Sequence, residues 1–146
     1  MEIVEMTSAH VGEIAALEKA CFSSPWSEKS IAGELTNPLA LWIVATVDHK
    51  VVGYVGTQSV MNEADMMNLA VDENHRRMGI ARALVEKLVA LLRNNGVYAL
   101  MLEVRKSNAA AISLYESMGF IQVGCRPNYY SNPREDALIL RKEWEV

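Results

Sequence analysis

The chain has 146 residues, the length of one ordinary domain and enough to bury a sizeable core. Hydrophobic residues make up 51% and charged residues 22%, which excludes a disordered chain; no apolar run reaches the ~20 residues a membrane helix needs. The net charge of −4 is uneven: residues 1–73 carry eleven acids and three bases, residues 74–146 seven acids and eleven bases. That asymmetry suits an anion held by the second half, or is a scatter of solvated charge. The overall acidity argues against nonspecific nucleic-acid binding.

The opening "MEIVEMTSAH" is acidic and lacks a signal-peptide pattern, so a cytoplasmic protein is expected. No linker, repeat or low-complexity run divides residues 1–146, which read as a single domain. "EIVEM" (2–6) predicts a short strand. Thr7 or Ser8 caps a helix running toward Cys21, with Val11, Ile14, Ala15, Leu17 and Glu18 on one mostly apolar stripe. "SSPW" ends it, and Ser27, with Ser30 and Glu34 nearby, starts a second short helix that stops at "TNP". "LALWIVATV" (39–47) and "KVVGYVGTQSV" (50–60) flank a tight turn at "DH", and "ADMMNLAV" (64–71) continues the meander.

The pattern then changes. Ile80, Ala81, Leu84, Val85, Leu88, Leu91 and Leu92 recur at helical spacing, and Gly96 sits where a C-cap belongs. "VYALMLEV" (97–104) predicts a buried strand parallel to 64–71. Ser107 or Asn108 opens a further helix, closed by Gly119 with Phe120 behind it. "FIQVGCR" (120–126) and "EDALILRKEW" (135–144) are the last strands, separated by a loop "PNYYSNPR". The sum is an α/β sheet with antiparallel and parallel parts. Cys21 and Cys125 lack metal-ligand spacing and read as reduced thiols. His10, His49 and His75 also lack it, so no metal site is expected.

Chemistry concentrates at "HRRMGIARAL" (75–84). A helix N-terminus offers unpaired N–H groups and a partial positive charge. Gly79 would let the backbone approach a ligand closely, Ala81 keeps the next turn slim, and Arg76, Arg77 and Arg82 add cations. A pyrophosphate suits this set, although neither G-x-G-x-x-G nor G-x-x-x-x-G-K-[ST] occurs. Arginines on a solvated loop ahead of a helix are also common, and the segment alone leaves both readings open.

The spacing R-x-x-G-x-A formed by Arg76, Gly79 and Ala81 resembles the [QR]-x-x-G-x-[GA] pyrophosphate motif of the GNAT superfamily of acyl-CoA N-acyltransferases. The order of elements resembles that family's too. The resemblance implies a GNAT-type mixed α/β sheet: an antiparallel N-terminal meander, then a parallel βαβ unit with a splayed central strand pair. It implies acetyl-CoA as co-substrate and no metal. The cofactor would lie on the opened backbone at Leu69, Ala70 and Val71, on Arg76, Arg77, Met78, Gly79, Ile80, Ala81 and Arg82, and against Asn108.

Three blocks, "NLAVDENHRRMGIARAL", "LEVRKSNAAAISLYESMGF" and "RPNYYSNPREDALIL", are together similar to the branch that acetylates the N-terminal alanine of a small-subunit ribosomal protein. A protein or peptide N-terminus is therefore the expected acceptor, with no direct nucleic-acid and no membrane partner. A lysine side chain or small amine as acceptor, or a CoA-binding sensor without turnover, are the alternatives.

Glu103 is the only charge in "YALMLEV" and lies near the strand's C-terminal end, where α/β sites gather. It is the candidate general base, acting through water, or a strand-end carboxylate facing water or an arginine. Tyr115 follows Asn108 by seven residues, about 700° around a helix, so the two share nearly one face. The resemblance makes Tyr115 the general acid beside the sulfur; otherwise it is a core tyrosine. No serine or cysteine nucleophile is paired with a base, which favours direct transfer. The resemblance also puts "CFSSPWSEK" and "PNYYSNPRED" beside the acceptor groove. Phe22, Trp26, Tyr129 and Tyr130 are candidate apolar walls, and Glu135 or Asp136 a lure for a basic peptide, though each is also a plausible structural residue.

Overall fold

The computed structural model describes residues 1–146. In chain order it contains β1 (Glu2–Glu5), α1 (Val11–Cys21), α2 (Glu28–Glu34), β2 (Ala40–Val47), β3 (Lys50–Val60) and β4 (Glu63–Val71). There follow α3 (Ile80–Asn94), β5 (Ala99–Arg105), α4 (Ala109–Ser117), β6 (Ile121–Tyr130) and β7 (Glu135–Glu143), with short 3-10 turns at Ser8–His10 and Glu73–His75. One seven-stranded sheet runs in the order β1-β2-β3-β4-β5-β7-β6.

The first four strands form the expected antiparallel meander. Its two hairpins turn at Asp48–His49 and Met61–Asn62, whose φ values of 51°, 65°, 52° and 65° are all positive. Such paired left-handed residues give a two-residue turn whose twist matches that of the strands. Thr7 heads the 3-10 turn, which then runs into α1. Ser27 caps α2 by accepting a hydrogen bond from the Ser30 backbone N–H at 3.0 Å.

The helices cover both faces. Ile80, Leu84, Val85, Leu88 and Leu92 of α3 and Tyr115 of α4 pack with Ile43, Val52, Val55, Leu100 and Leu102. On the other face Val11, Ile14 and Leu17 of α1 and Ile31 of α2 pack with Trp42, Val44, Tyr54 and Ala70. Alternate residues of β2 and β3 thus serve opposite layers, as strand geometry requires. No helix is long and apolar enough to cross a membrane.

One feature of the sheet positions everything else. β4 and β5 are its only parallel pair, and they are joined only at Glu63–Asp65 with Ala99–Met101. Beyond that point they part, as expected of a splayed central pair, and the parallel pairing is confined to three rungs. β5 instead lies along β7 for its whole length, from Ala99 opposite Glu143 to Arg105 opposite Ala137. β4 stays with β3, but with a bulge: Met66 faces Thr57 and Asn68 faces Gly56, leaving Met67 without a partner. The result is a fork whose β4 edge, Met66–Val71, has no strand beside it.

The last hairpin is tighter than expected. β6 continues to Tyr130, which pairs with Glu135, so the loop shrinks from "PNYYSNPR" to residues 131–134. An irregularity between Arg126 and Tyr130, with Asn128 at φ 55°, accommodates Pro127, which has no N–H for the ladder.

Candidate active site at the fork

The exposed loop that leaves β4 leads into α3. Gly79 caps that helix at φ 77°, ψ 14°, a left-handed conformation that costs a residue with a Cβ about 1–2 kcal/mol. A Cβ there would meet nothing within 4 Å, so the glycine answers to backbone geometry and to open space beside it. The first bond of the helix runs from Ala83 N–H to the Gly79 carbonyl at 3.0 Å. The N–H groups of Ile80, Ala81 and Arg82 consequently have no helical acceptor and stand free for an anion.

The three arginines divide their tasks. Arg76 turns back, its Nε donating to the Val71 carbonyl at 3.3 Å and its guanidinium reaching Cys21 Sγ at 3.7 Å. Arg82 donates to Ser117 Oγ at 2.6 Å and ties α3 to α4. Arg77, at φ 63° and exposed, carries no side-chain partner. Met78 is likewise exposed. Asn108 is the N-cap of α4, its Oδ1 accepting from Ala111 N–H at 3.2 Å.

Tyr115 is 6% exposed, and its hydroxyl donates to Met66 Sδ, 3.8 Å away. A thioether is a weak acceptor, and Met66 is the first β4 residue past the last rung shared with β5. The phenol therefore points toward the fork edge with only a weak hydrogen-bond acceptor opposite its O–H. Burial, then the charge of Tyr130, pushes its pKa up to about 12.

Glu103 lies two residues past the last β5 residue paired with β4 and is half-buried, with Arg126 Nε 3.3 Å from Oε1. The Tyr130 ring sits under the Arg105 guanidinium at 4.5 Å and edge-on to Tyr129 at 5.0 Å, while Arg126 lies over Tyr129 at 5.9 Å. Burial, Tyr129 and Glu103 push the Tyr130 hydroxyl up to about 12. Glu135 accepts from Ser107 N–H at 2.6 Å and from Arg105 at 3.2 Å, contacts that hold its carboxyl below the usual range. Its carboxylate ties Arg105 of β5 and the turn ahead of α4 to β7. Asp136 accepts from Asn128 N–H at 2.8 Å.

On the α1 side, Trp26 meets Trp42 edge-on at 5.4 Å, Trp42 stacks on Tyr54 at 5.8 Å, and Phe22 packs against the same cluster. No group of three or more His, Cys, Asp or Glu is placed to hold a metal, and both cysteines are free. Sequence reasoning missed the partners of Glu18. This carboxylate is fully buried and accepts from Tyr54, Asn68 and the Trp26 backbone. A charged residue within an otherwise apolar stripe was the available signal.

A fork beside a glycine-capped helix, with free N–H groups at one end and unpaired strand edge at the other, fits a long thioester bearing a diphosphate. The free N–H groups suit its diphosphate and the open β4 edge its carbonyl. That architecture is the one shared by GNAT acyltransferases, and the chain belongs to the acetyltransferase (GNAT) family, whose sequence pattern matches residues 11–120. It is an N-acetyltransferase, and its fold implies the use of acetyl-CoA.

Among its relatives is the [ribosomal protein bS18]-alanine N-acetyltransferase of Escherichia coli K12, 44% identical over 126 residues, 85% of this chain and 84% of that one. The crystal structure of the ribosomal-protein-S18-alanine N-acetyltransferase from Escherichia coli superposes with a TM-score of 0.91 at 38% identity, over 99% of this chain and 94% of that one. A chain in the crystal structure of the NatC complex bound to Gag peptide and CoA superposes with a TM-score of 0.82 at 28% identity, over 99% and 100%.

Proposed function

We propose that this protein transfers the acetyl group of acetyl-CoA to the N-terminal α-amine of a protein, and that its acceptor is the N-terminal alanine of ribosomal protein bS18. The observation that carries this reading is the fork with Glu103 on one arm and the Tyr115 hydroxyl beside the other. The relatives named for that acceptor add the substrate. A ribosomal acceptor supports a cytoplasmic reaction, and the continuous sheet from β1 to β7 supports reading residues 1–146 as one catalytic domain.

Bound acetyl-CoA supplies an acetyl thioester. The free N–H groups at Ile80–Arg82, the exposed Arg77 and Met78, and Gly79 hold its diphosphate. The β4 edge at Leu69, Ala70 and Val71 orients the carbonyl, and Asn108 borders the pantetheine arm. Arg76 and Arg82 keep the loop and the α3–α4 contact in place. Glu103, steadied by Arg126, takes a proton from the acceptor ammonium through water. The neutral amine nitrogen would then bond to the carbonyl carbon as the carbon–sulfur bond breaks, and Tyr115 would give its proton to the departing sulfur. The second nitrogen proton would pass through water to the Tyr115 phenolate, and Glu103 would release its proton to solvent. Phe22, Trp26, Tyr129 and Tyr130 wall the acceptor groove, with Glu135 bracing it. The reading calls on no metal ion and no nucleic acid.

The acceptor suits a modest base. An α-amino group has a pKa of about 7.7–8.0 against about 10.4 for lysine, a gap of roughly 2.5 units or about 3.4 kcal/mol. The direct test is a panel of acceptors with acetyl-CoA: an alanine-initiated bS18 peptide, an N-blocked lysine peptide and a polyamine, followed by thiol release. Release with the alanine peptide alone is the expected result. Preference for the lysine peptide, or cofactor binding without release on any acceptor, would overturn it.

A further inference from the structure

We propose that Glu18 is a positioning residue: it locks the α1–α2 loop to the fork edge of β4 and so sets the affinity for the acceptor. The proposal rests on the functional reading above, which assigns that loop to the acceptor groove.

The Glu18 side chain is fully buried on α1. Its Oε1 accepts from the Tyr54 hydroxyl on β3 and from Asn68 Nδ2 on β4, the latter at 2.7 Å. Its Oε2 accepts from the Trp26 backbone N–H in the loop at 3.0 Å. None of the ion pairs in the molecule includes it. A carboxylate buried with no cation is costly, and an apolar side chain would fill the same place at less cost. Stability is therefore a poor account of its presence. Geometry is a better one, because the three donors come from three separate segments.

Two of those segments matter to the reaction. Asn68 is the residue after the unpaired Met67, on the stretch of β4 that borders the fork. Trp26 is linked a second time through its ring, edge-on to Trp42, which stacks on Tyr54. Loop and fork edge thus share one anchor, and neither can shift without the other. The acceptor wall and the surface that receives the carbonyl behave as one rigid piece.

Glu18→Gln tests the lock with little change of volume. A glutamine oxygen can serve only one side of the trio, and its amide then faces a donor. The expected result is a KM for the alanine peptide raised about 10-fold, the factor worth about 1.4 kcal/mol, with kcat and the KM for acetyl-CoA within about 2-fold. Hydrogen exchange at the Trp26 amide should accelerate by at least about 10-fold while β5 and β7 amides stay unchanged. Asn68→Ser, at a half-buried position, is the second variant should Glu18→Gln not fold, and it should raise the same KM.

A lowered melting temperature with an unchanged peptide KM in the folded variants would make Glu18 purely structural and overturn the proposal. A wild-type protein that modifies no N-terminal peptide would instead overturn the functional reading. The lock itself would still be judged by Trp26 exchange, and an unchanged rate there refutes it.

Discussion

Glu103 and Tyr115 reach the fork by different routes, and each leaves a distinct kinetic trace. Replacing Glu103 by Gln keeps the shape and the Arg126 contact but removes the proposed base. We expect kcat to fall by about 10²–10⁴, the usual worth of general-base catalysis, with acetyl-CoA affinity nearly unchanged in a binding titration. Equal turnover would return Glu103 to the role of an ion-pair partner. Tyr115 has a hydroxyl pushed up to about 12, so it stays protonated through the working range. Tyr115→Phe should then lower kcat by a similar factor at every pH from about 6 to 9, rather than abolish one limb of the profile. The rising limb near neutrality belongs to the acceptor amine. A pH-dependent ratio between the two enzymes would contradict this assignment.

At the scale of elements, the N-terminus of α3 and the brace at Glu135 make the strongest claims. Gly79→Ala forces a Cβ into φ 77° with no steric clash, so the penalty is backbone strain alone. Denaturant unfolding should show a loss of about 1–2 kcal/mol, and calorimetry a weaker grip on acetyl-CoA. Intact affinity would mean that the diphosphate does not sit there. Glu135 has a folded-state pKa below its unfolded one, so its contribution is present above the unfolded value, about 4.3, and fades as pH falls through the lowered one. The melting temperature of Glu135→Gln should therefore trail that of wild type near neutrality, and the gap should close in acid. A gap that widens on acidification would reverse the sign and refute the linkage.

These elements were also the ones most legible in the sequence. Helical spacing from Ile80 to Leu92 and the capping glycine need only local information, as does the stripe on α1. The partners of Glu18 were not local. Tyr54 and Asn68 lie 36 and 50 residues away, and no periodicity reports a contact across that distance. The same holds for Arg76, whose cationic character is legible but whose turn toward Val71 and Cys21 depends on where α1 packs. The length of the last hairpin was misjudged because Asn and Pro read as loop, whereas the irregularity before Tyr130 lets the strand run on.

For the molecule as a whole, a two-sided sheet uses its middle as the working part. α3 and α4 cover one face and α1 and α2 the other, so the fork opens between two braced layers. The splayed strand pair followed from family likeness and from no residue pattern. The bulge that accompanies it at Met67 was not visible in "ADMMNLAV", where two adjacent methionines give no clue to which one loses its partner. The central claim is that the cofactor enters at this fork with its diphosphate on the first turn of α3. The most direct test is a crystal structure with a non-hydrolysable acetyl-CoA analogue. The account predicts the diphosphate on the Ile80–Arg82 N–H groups and the carbonyl against the open edge of β4, within reach of Tyr115. An analogue lodged away from the fork, or with its diphosphate far from Gly79, would contradict it.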